Sequence, residues 1–368
     1  MSKKFVVISD DLTGANGIAG FMSHFCNTIV INYDNDFITD IINNVNVPSY
    51  NCVVINTKSR MIDGDEARSR VDYVLRLFND KKYRFGKRID SALRGNIENE
   101  ILPFIERGHT IIITDTIPEY GRYTHGGYTI INNVKSDISS KFNKITPVII
   151  DNIDELISIR SAIDKKLFII GSKTHDDLKR IANFIVSYED LIPVDPLYLI
   201  AYTAQQYIGD VSYSKIWKLP FIRRIIYVIG STQEMTIRQI NYARDHGFYV
   251  LNIHDLIRLN YIIDNNWVVV YFDYMKDKEL LTKDFVRFLV GFDALVLSGG
   301  ETANMVFELS GGLFIESITD IMPLIGVGII RGGMLDGKLI VTKGGFIGRE
   351  DTYITIRDFL LNLNGVKV

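Results

Sequence analysis

The chain has 368 residues, enough for about two domains of roughly 150 residues each. Apolar residues make up 47%, which excludes an extended disordered chain, and a formal net charge of −3 argues against nucleic acid as the main partner, so any anion site must be local. No apolar run approaches the roughly 18 residues of a membrane helix, and Met1-Ser2-Lys3-Lys4 leads directly into a strand without a signal-like segment; the expectation is a soluble cytoplasmic protein with no membrane partner.

The first buried strand is Phe5-Val6-Val7-Ile8, which ends at Ser9-Asp10-Asp11. Ala15, Ile18, Ala19, Met22 and Phe25 then recur at helical spacing, with Thr13 as the expected N-cap. Val53-Val54-Ile55 delivers Asn56-Thr57-Lys58-Ser59-Arg60, and a helix with Ala67, Val71, Val74 and Phe78 on one face follows. A strand over Tyr83 to Ile89 delivers Asp90-Ser91-Ala92-Leu93-Arg94-Gly95 and a helix carrying Ile97, Ile101 and Ile105. Thr110 to Ile113, Pro147 to Ile150 and Leu167 to Ile170 continue the alternation, which implies a parallel sheet covered on both faces.

A seam falls near Trp217-Lys218-Leu219-Pro220-Phe221, after which the rhythm restarts. Ile225 to Ile229 leads to Gly230-Ser231 and a helix, Val268 to Tyr271 is a further strand, and Ala294 to Leu297 leads to Ser298-Gly299-Gly300-Glu301-Thr302 and another helix. Asp336-Gly337 reads as a hairpin turn before the strand Leu339 to Thr342, which ends at Lys343-Gly344-Gly345. The expected architecture is α/β: two α/β domains with largely parallel sheets facing a central cleft, one over residues 1–217 and one over 218–368.

Glycines between a strand and a helix start suit an anion, because the backbone can approach closely and the first helical amides lack intrahelical acceptors. The Gly299 loop fits neither GxxxxGK[ST] nor GxGxxG, and no GxGxxG follows the first strand, which disfavours a Rossmann oxidoreductase. Arg60, Lys87, Arg94 and Arg122 lie in loops after strands, where open parallel sheets place ligands, and arginine matches a carboxylate with two parallel donors. Asp10 and Asp11 at the mouth of the first strand can raise each other's pKa, bind a cation or cap the following helix. The six histidines and the two cysteines, Cys26 and Cys52, have no metal-ligand spacing, and the cysteines are expected as apolar thiols.

Taken in order, these pieces resemble the motifs of the four-carbon acid sugar kinase family. Asp10-Asp11-Leu12-Thr13-Gly14-Ala15-Asn16 is similar to its opening signature, and Lys87-Arg88-Ile89-Asp90-Ser91-Ala92-Leu93-Arg94-Gly95-Asn96 to its central motif. Gly121-Arg122 with Thr124 and Gly127, Gly230-Ser231 with Thr236 and Gln239, Gly299 to Ala303, and Lys343 to Gly348 follow in family order. The resemblance implies an ATP-dependent kinase of short hydroxy acids such as threonate, erythronate or an oxo-tetronate, with ATP and Mg²⁺ as cofactors. It also implies an acid-binding N-terminal domain and a nucleotide-binding C-terminal domain.

On this reading Asp90 or Asp11 is the catalytic aspartate that orients and deprotonates the accepting hydroxyl. Asp10, Arg60, Lys87, Ser91, Arg94 and Arg122 would bind the acid. Ser231, Gly299, Gly300, Glu301, Thr302, Lys343, Gly344 and Gly345 would bind ATP, Glu301 either at the ribose or Mg²⁺ or simply as a first-turn acid. The Mg²⁺ ligands are not assigned. The partner is a small sugar acid, and a homo-oligomer is left open. Departures from the family pattern are Asn16, Ala92 and Val194-Asp195-Pro196, where a Gly-Ser turn is usual. They motivate a second class of function, a nucleotide- or metabolite-binding protein that has lost turnover.

Overall fold

The computed structural model describes residues 3–33, 39, 49–78, 83–159, 166–209, 217 and 219–364. Eighteen strands are described. The first half contains β1 Lys4–Ser9, β2 Thr28–Asn32, β3 Cys52–Asn56, β4 Tyr83–Arg88, β5 Thr110–Ile113, β6 Tyr123–His125, β7 Tyr128–Ile131, β8 Val134–Asp137, β9 Val148–Ile150, β10 Leu167–Ile170 and β11 Leu191–Asp195. The second contains β12 Ile225–Ile229, β13 Tyr249–Asn252, β14 Trp267–Tyr271, β15 Ala294–Ser298, β16 Phe314–Met322, β17 Ile325–Arg331 and β18 Leu339–Lys343. The helices that matter for the site are α1 Leu12–Met22, α2 Gly64–Leu77, α3 Ile97–Glu106, α4 Tyr198–Ile208 and α5 Gly300–Leu309.

The α/β alternation is present, with β3, β5, β10, β12, β14 and β15 falling on the apolar runs. The central strands are buried on both faces, which is why they read as unbroken Val and Ile runs and not as alternating patterns. Fifteen strands form one sheet in the order β13-β14-β12-β15-β18-β17-β16-β2-β3-β1-β4-β11-β5-β10-β9. Its two flanks are parallel; β16 and β17 run antiparallel, and β16 pairs with β2 through Phe314 opposite Ile31 and Glu316 opposite Ile29. The two halves are thus continuous through the sheet. The expected boundary at residue 217 falls beside residues 210–216 and 218, which lie outside the described residues. Strands β6 to β8 form a separate small antiparallel sheet.

Helix α1 is the second joint between the halves. Its N-cap is Asp11, not Thr13: the Asp11 backbone is extended (φ −146°, ψ 161°) and its carboxylate accepts the Gly14 amide, whereas Thr13 lies inside the first turn. Three glycines within one helix are unfavourable by about 1 kcal/mol each relative to alanine, so tertiary contacts must require them. Gly17 faces the Leu324 backbone, where a Cβ would lie 3.0 Å from Leu324 Cα, and Gly20 faces Thr319 and Gly326. Asn16 donates to the Gly326 carbonyl (2.9 Å) and to Thr342 Oγ1 (3.1 Å), and His24 bonds Asp320. Cys26 and Cys52 are free and buried, as expected. Among the described residues no helix is long and apolar enough to cross a membrane.

Gly326 is the tightest point of this seam: a Cβ there would meet the Asn16 carbonyl oxygen at 1.9 Å. Gly326→Ala is therefore expected to destabilise the protein by about 1–3 kcal/mol in urea unfolding. An unchanged midpoint would show that α1 and the β16–β17 hairpin do not pack as described.

Candidate active site

Strand register sets the site. Ser9 of β1 lies opposite Asn56 of β3 and Arg88 of β4, so the loops that follow these strands leave the sheet at one level. In the other half Ile229, Ser298 and Lys343 are likewise level, and Gly230, Gly299 and Gly344 follow them directly. Both sets open at strand C-termini, where parallel sheets place ligands. They meet in one cleft of about 270 Å³, lined from the first half by Gly14, Arg60, Arg88, Asp90, Ser91 and Arg94 and from the second by Gly230-Ser231, Gly299 to Thr302 and Gly344 to Ile347.

The N-terminal wall is a buried lattice of charge. Arg60 Nε donates to Asp10 (2.7 Å), its Nη1 to Asp11 (2.9 Å), and its Nη2 lies 2.8 Å from Asp11 and 3.3 Å from Asp90. Arg88 Nη1 bridges Asp10 (3.1 Å) and Asp11 (3.0 Å). A Cβ on Gly14 would fall 2.0 Å from the Arg88 guanidinium, so the glycine is what allows that arginine to lie against the start of α1. Burial pushes the Asp10 carboxyl up, but Arg60, Arg88 and Lys87 outweigh it and hold the group well below the usual carboxylate range. Asp90 is also lowered: burial raises it, and the charge of Arg60 and the hydrogen bond from Arg94 prevail.

The C-terminal wall is main chain. Gly299 has φ +107°, a conformation that side chains resist, and its amide donates to the Lys343 carbonyl (3.0 Å), tying the two glycine loops together. A Cβ on Gly345 would strike Ser231 Oγ at 2.2 Å, and one on Gly230 would strike Thr302 Oγ1 at 2.2 Å. The three loops therefore pack closely, with the Ser231 and Thr302 hydroxyls set against glycines of the neighbouring loops. Gly300 opens α5 directly against the other half: its Cβ would lie 2.4 Å from Asp11 Oδ2. Burial, then the nearby Asp11 charge, pushes the Glu301 carboxyl up.

Of the residues read from sequence, Arg60, Asp90, Ser91, Arg94, Ser231, Gly299, Gly300, Glu301, Thr302, Gly344 and Gly345 line the cleft. Asp10 and Asp11 stand behind it; both Asp11 oxygens are occupied, by Thr13 (2.5 Å), the Gly14 amide (2.9 Å), Arg60 and Arg88, which makes it an anchor for the arginines more than a free base. Three residues take supporting places. Lys87 is fully buried and pairs with Glu100 (2.9 Å). Arg122 pairs with buried Asp115 and reaches the cleft only by donating to the Ser91 carbonyl. Lys343 is buried behind its loop, donating to the carbonyls of Gly344 (2.9 Å) and Ile347 (3.1 Å), and burial brings its ammonium down to about 7.

Sequence reasoning missed Arg88, although it sits in the quoted motif. Alternation along β4 sends Lys87 and Arg88 to opposite faces, and only the second faces the cleft. The exposed apolar residues Met61, Met275 and Phe346 at the cleft mouth were also missed. Arg94 spans the opening: it donates to Asp90 (Nε, 2.6 Å), stays half-exposed, and its guanidinium lies 5.4 Å from the Phe346 ring centre. At the two departures, the Ala92 amide donates to Asp90 (3.1 Å), and buried Asp195 accepts the Leu199 and Ile200 amides at the start of α4.

A two-lobed α/β protein with an arginine–aspartate wall facing a glycine-lined wall is the class this geometry defines. Residues 5–162 match the sugar-binding N-terminal domain. That match spans the Asp10, Lys87 and Gly121 motifs. It is 22% identical to a D-erythronate kinase of Heliobacterium modesticaldum, over 97% of each chain. Its fold is similar to that of a Salmonella typhimurium LT2 protein (TM-score 0.71, 16% identity, covering 96% of this chain and 98% of that one). A Haemophilus influenzae protein of family model DUF1537 also shares it (TM-score 0.65, 18% identity, 97% and 100%).

The charge lattice predicts different pH slopes in two proteins. In the wild type, Asp10 and Asp90 have folded pKa values below their unfolded ones, so their contribution is present at neutral pH and is lost as pH falls below about 4. Arg60→Met strands the buried carboxylates at a cost of about 3–5 kcal/mol and should raise their pKa values. Buried Asp195, raised to about 7 by burial, titrates between pH 7 and 5 in both proteins, so the variant's urea midpoint is expected to rise over that range by more than the wild type's. An equal or smaller change than in the wild type would show that Arg60 does not hold the lattice.

Proposed function

We propose that the protein transfers the γ-phosphoryl group of ATP to a hydroxyl of a short sugar acid of about four carbons, such as threonate, erythronate or an oxo-tetronate. The observation that carries this reading is Gly300 seated against Asp11, which brings a glycine-rich wall with a helix start suited to phosphates and an arginine wall suited to a carboxylate into one cleft. The half up to residue 217 would hold the acid and residues 218–368 the nucleotide.

ATP suits the second wall because Gly230, Gly299 and Gly344 follow level strand ends and Gly300 opens α5, whose first amides lack intrahelical acceptors. Among the described residues no group of three His, Cys, Asp or Glu forms a metal cage. Mg²⁺ therefore fits only as an ion carried mainly on phosphates and water, with Glu301 the nearest acid of the cleft lining to the Gly299 loop; when bound it would neutralise phosphate charge.

Arg60, Arg88 and Arg94 balance Asp10, Asp11 and Asp90, so an entering carboxylate has to draw donors away from a resident aspartate. Arg94 is the exchangeable donor, since it is half-exposed where Arg60 and Arg88 are buried. Its move to an incoming anion would release an Asp90 oxygen to accept the substrate hydroxyl, which favours Asp90 over the saturated Asp11 for the catalytic role. Asp195 lies outside the cleft lining, and the Ala92 amide bonds Asp90, which supports turnover over the alternative of a binder that has lost it.

Incubation with ATP, Mg²⁺ and a panel of four-carbon hydroxy acids is expected to release ADP only when an acid is present. Asp90→Asn should lower kcat by about 10²- to 10⁴-fold with the circular dichroism spectrum unchanged. Tight ATP binding with no acid-dependent ADP across the panel would favour the binder instead. Gly345→Val, which drives a side chain into Ser231, is expected to weaken ATP at least about tenfold in calorimetric titration while leaving acid binding intact. Equal loss of both ligands would contradict the assignment of one ligand to each half.

A further inference from the structure

The hairpin between β16 and β17 ends in two residues, Pro323 and Leu324, because Met322 pairs with Ile325. A proline followed by a residue at positive φ is the pattern of a type II turn, whose second central position ordinarily takes glycine or asparagine. Here that position is Leu324, at φ +67°. Leucine is an unfavourable choice for a left-handed conformation, so the turn alone does not account for it.

The tip is fixed from the first half of the chain. Tyr120 Oη donates to the Pro323 carbonyl (2.8 Å), and the Leu324 backbone rests on Gly17. Gly14 and Gly17 are three residues apart on one flank of α1; the first carries the Arg88 guanidinium and the second carries Leu324. Leu324 therefore stands beside the flank of α1 that carries Arg88, within the same cleft lining. It lines the cleft and is 3% exposed, whereas Met61, the other apolar residue of that wall, is 70% exposed.

We propose that Leu324 is a specificity-determining residue that sets the length of the acid the cleft accepts. This rests on the sugar-acid reading above. A sugar acid carries a hydroxyl on nearly every carbon, so a fixed leucine at the end of its pocket offers bulk without a hydrogen-bond partner. A longer chain would have to bury a hydroxyl against it, which buried polar groups resist. Because Tyr120 and Gly17 hold the backbone, the side chain cannot withdraw by shifting the turn.

The test is calorimetric titration of the full chain with D-threonate, D-erythronate and the six-carbon acid D-gluconate, for wild type and Leu324→Gly. Glycine suits the backbone conformation, and Leu324→Asn, which tolerates it too, is the second variant should the first fail to fold. Wild type is expected to prefer the four-carbon acids, and both variants are expected to narrow that preference at least about tenfold by gaining gluconate affinity. A merely structural role would weaken all three acids together and leave the ratio unchanged, which would overturn the proposal. Binding of none of the acids by wild type would instead overturn the sugar-acid reading, and this inference with it.

Discussion

One guanidinium, that of Arg60, is the interaction on which the site depends. It touches three carboxylates, Asp10, Asp11 and Asp90, that arrive from two different strand ends, and it is almost completely buried. Burial lowers the pKa of this guanidinium, and the three acids outweigh that and raise it. Buried ion pairs are poor sources of net stability but strong determinants of geometry, since neither partner can be removed without stranding the other. The loops after β1, β3 and β4 are therefore locked to one another before any ligand arrives.

Around that lock, each neighbouring feature reads as a positional requirement. Gly14 leaves space for Arg88, Gly300 leaves space for Asp11, and Gly345 leaves space for Ser231. Absent side chains bring the main chain of one half within van der Waals reach of the acids of the other. Lys87 and Lys343 do the same work from behind, the first through Glu100 and the second through two loop carbonyls. Both lysines, read from sequence as ligand contacts, lie behind the cleft lining and brace its loops.

What could be read in the sequence was what local pattern encodes. Runs such as Ala294 to Leu297 are buried parallel strands because both faces are covered, and a Gly-Gly step before a helical period marks a strand-to-helix turn whatever its function. Three kinds of fact were out of reach. The pairing of residues 29–31 with residues 314–316 joins distant segments with no local signature. The choice between Lys87 and Arg88 depends on which face of β4 borders the cleft, which periodicity alone leaves ambiguous. The burial of Arg122 and Lys343 depends on Asp115 and on Ile347, partners that spacing did not identify. Thr13 failed as a cap for a simpler reason: Asp11, two residues earlier, offers a better acceptor in an extended backbone.

The ladder between β2 and β16 constrains how such a molecule can breathe. A pair of lobes connected only by a tether can swing apart like jaws; these two share main-chain hydrogen bonds in mid-sheet and a helix wedged across the junction. Rotating one lobe as a rigid body would tear that ladder. Access to the cleft is left to motions that spare it: a change in sheet twist, or displacement of the exposed rim formed by Met61, Met275 and Phe346. The joint that makes the chain one continuous sheet thus favours twisting and rim movement over a hinge.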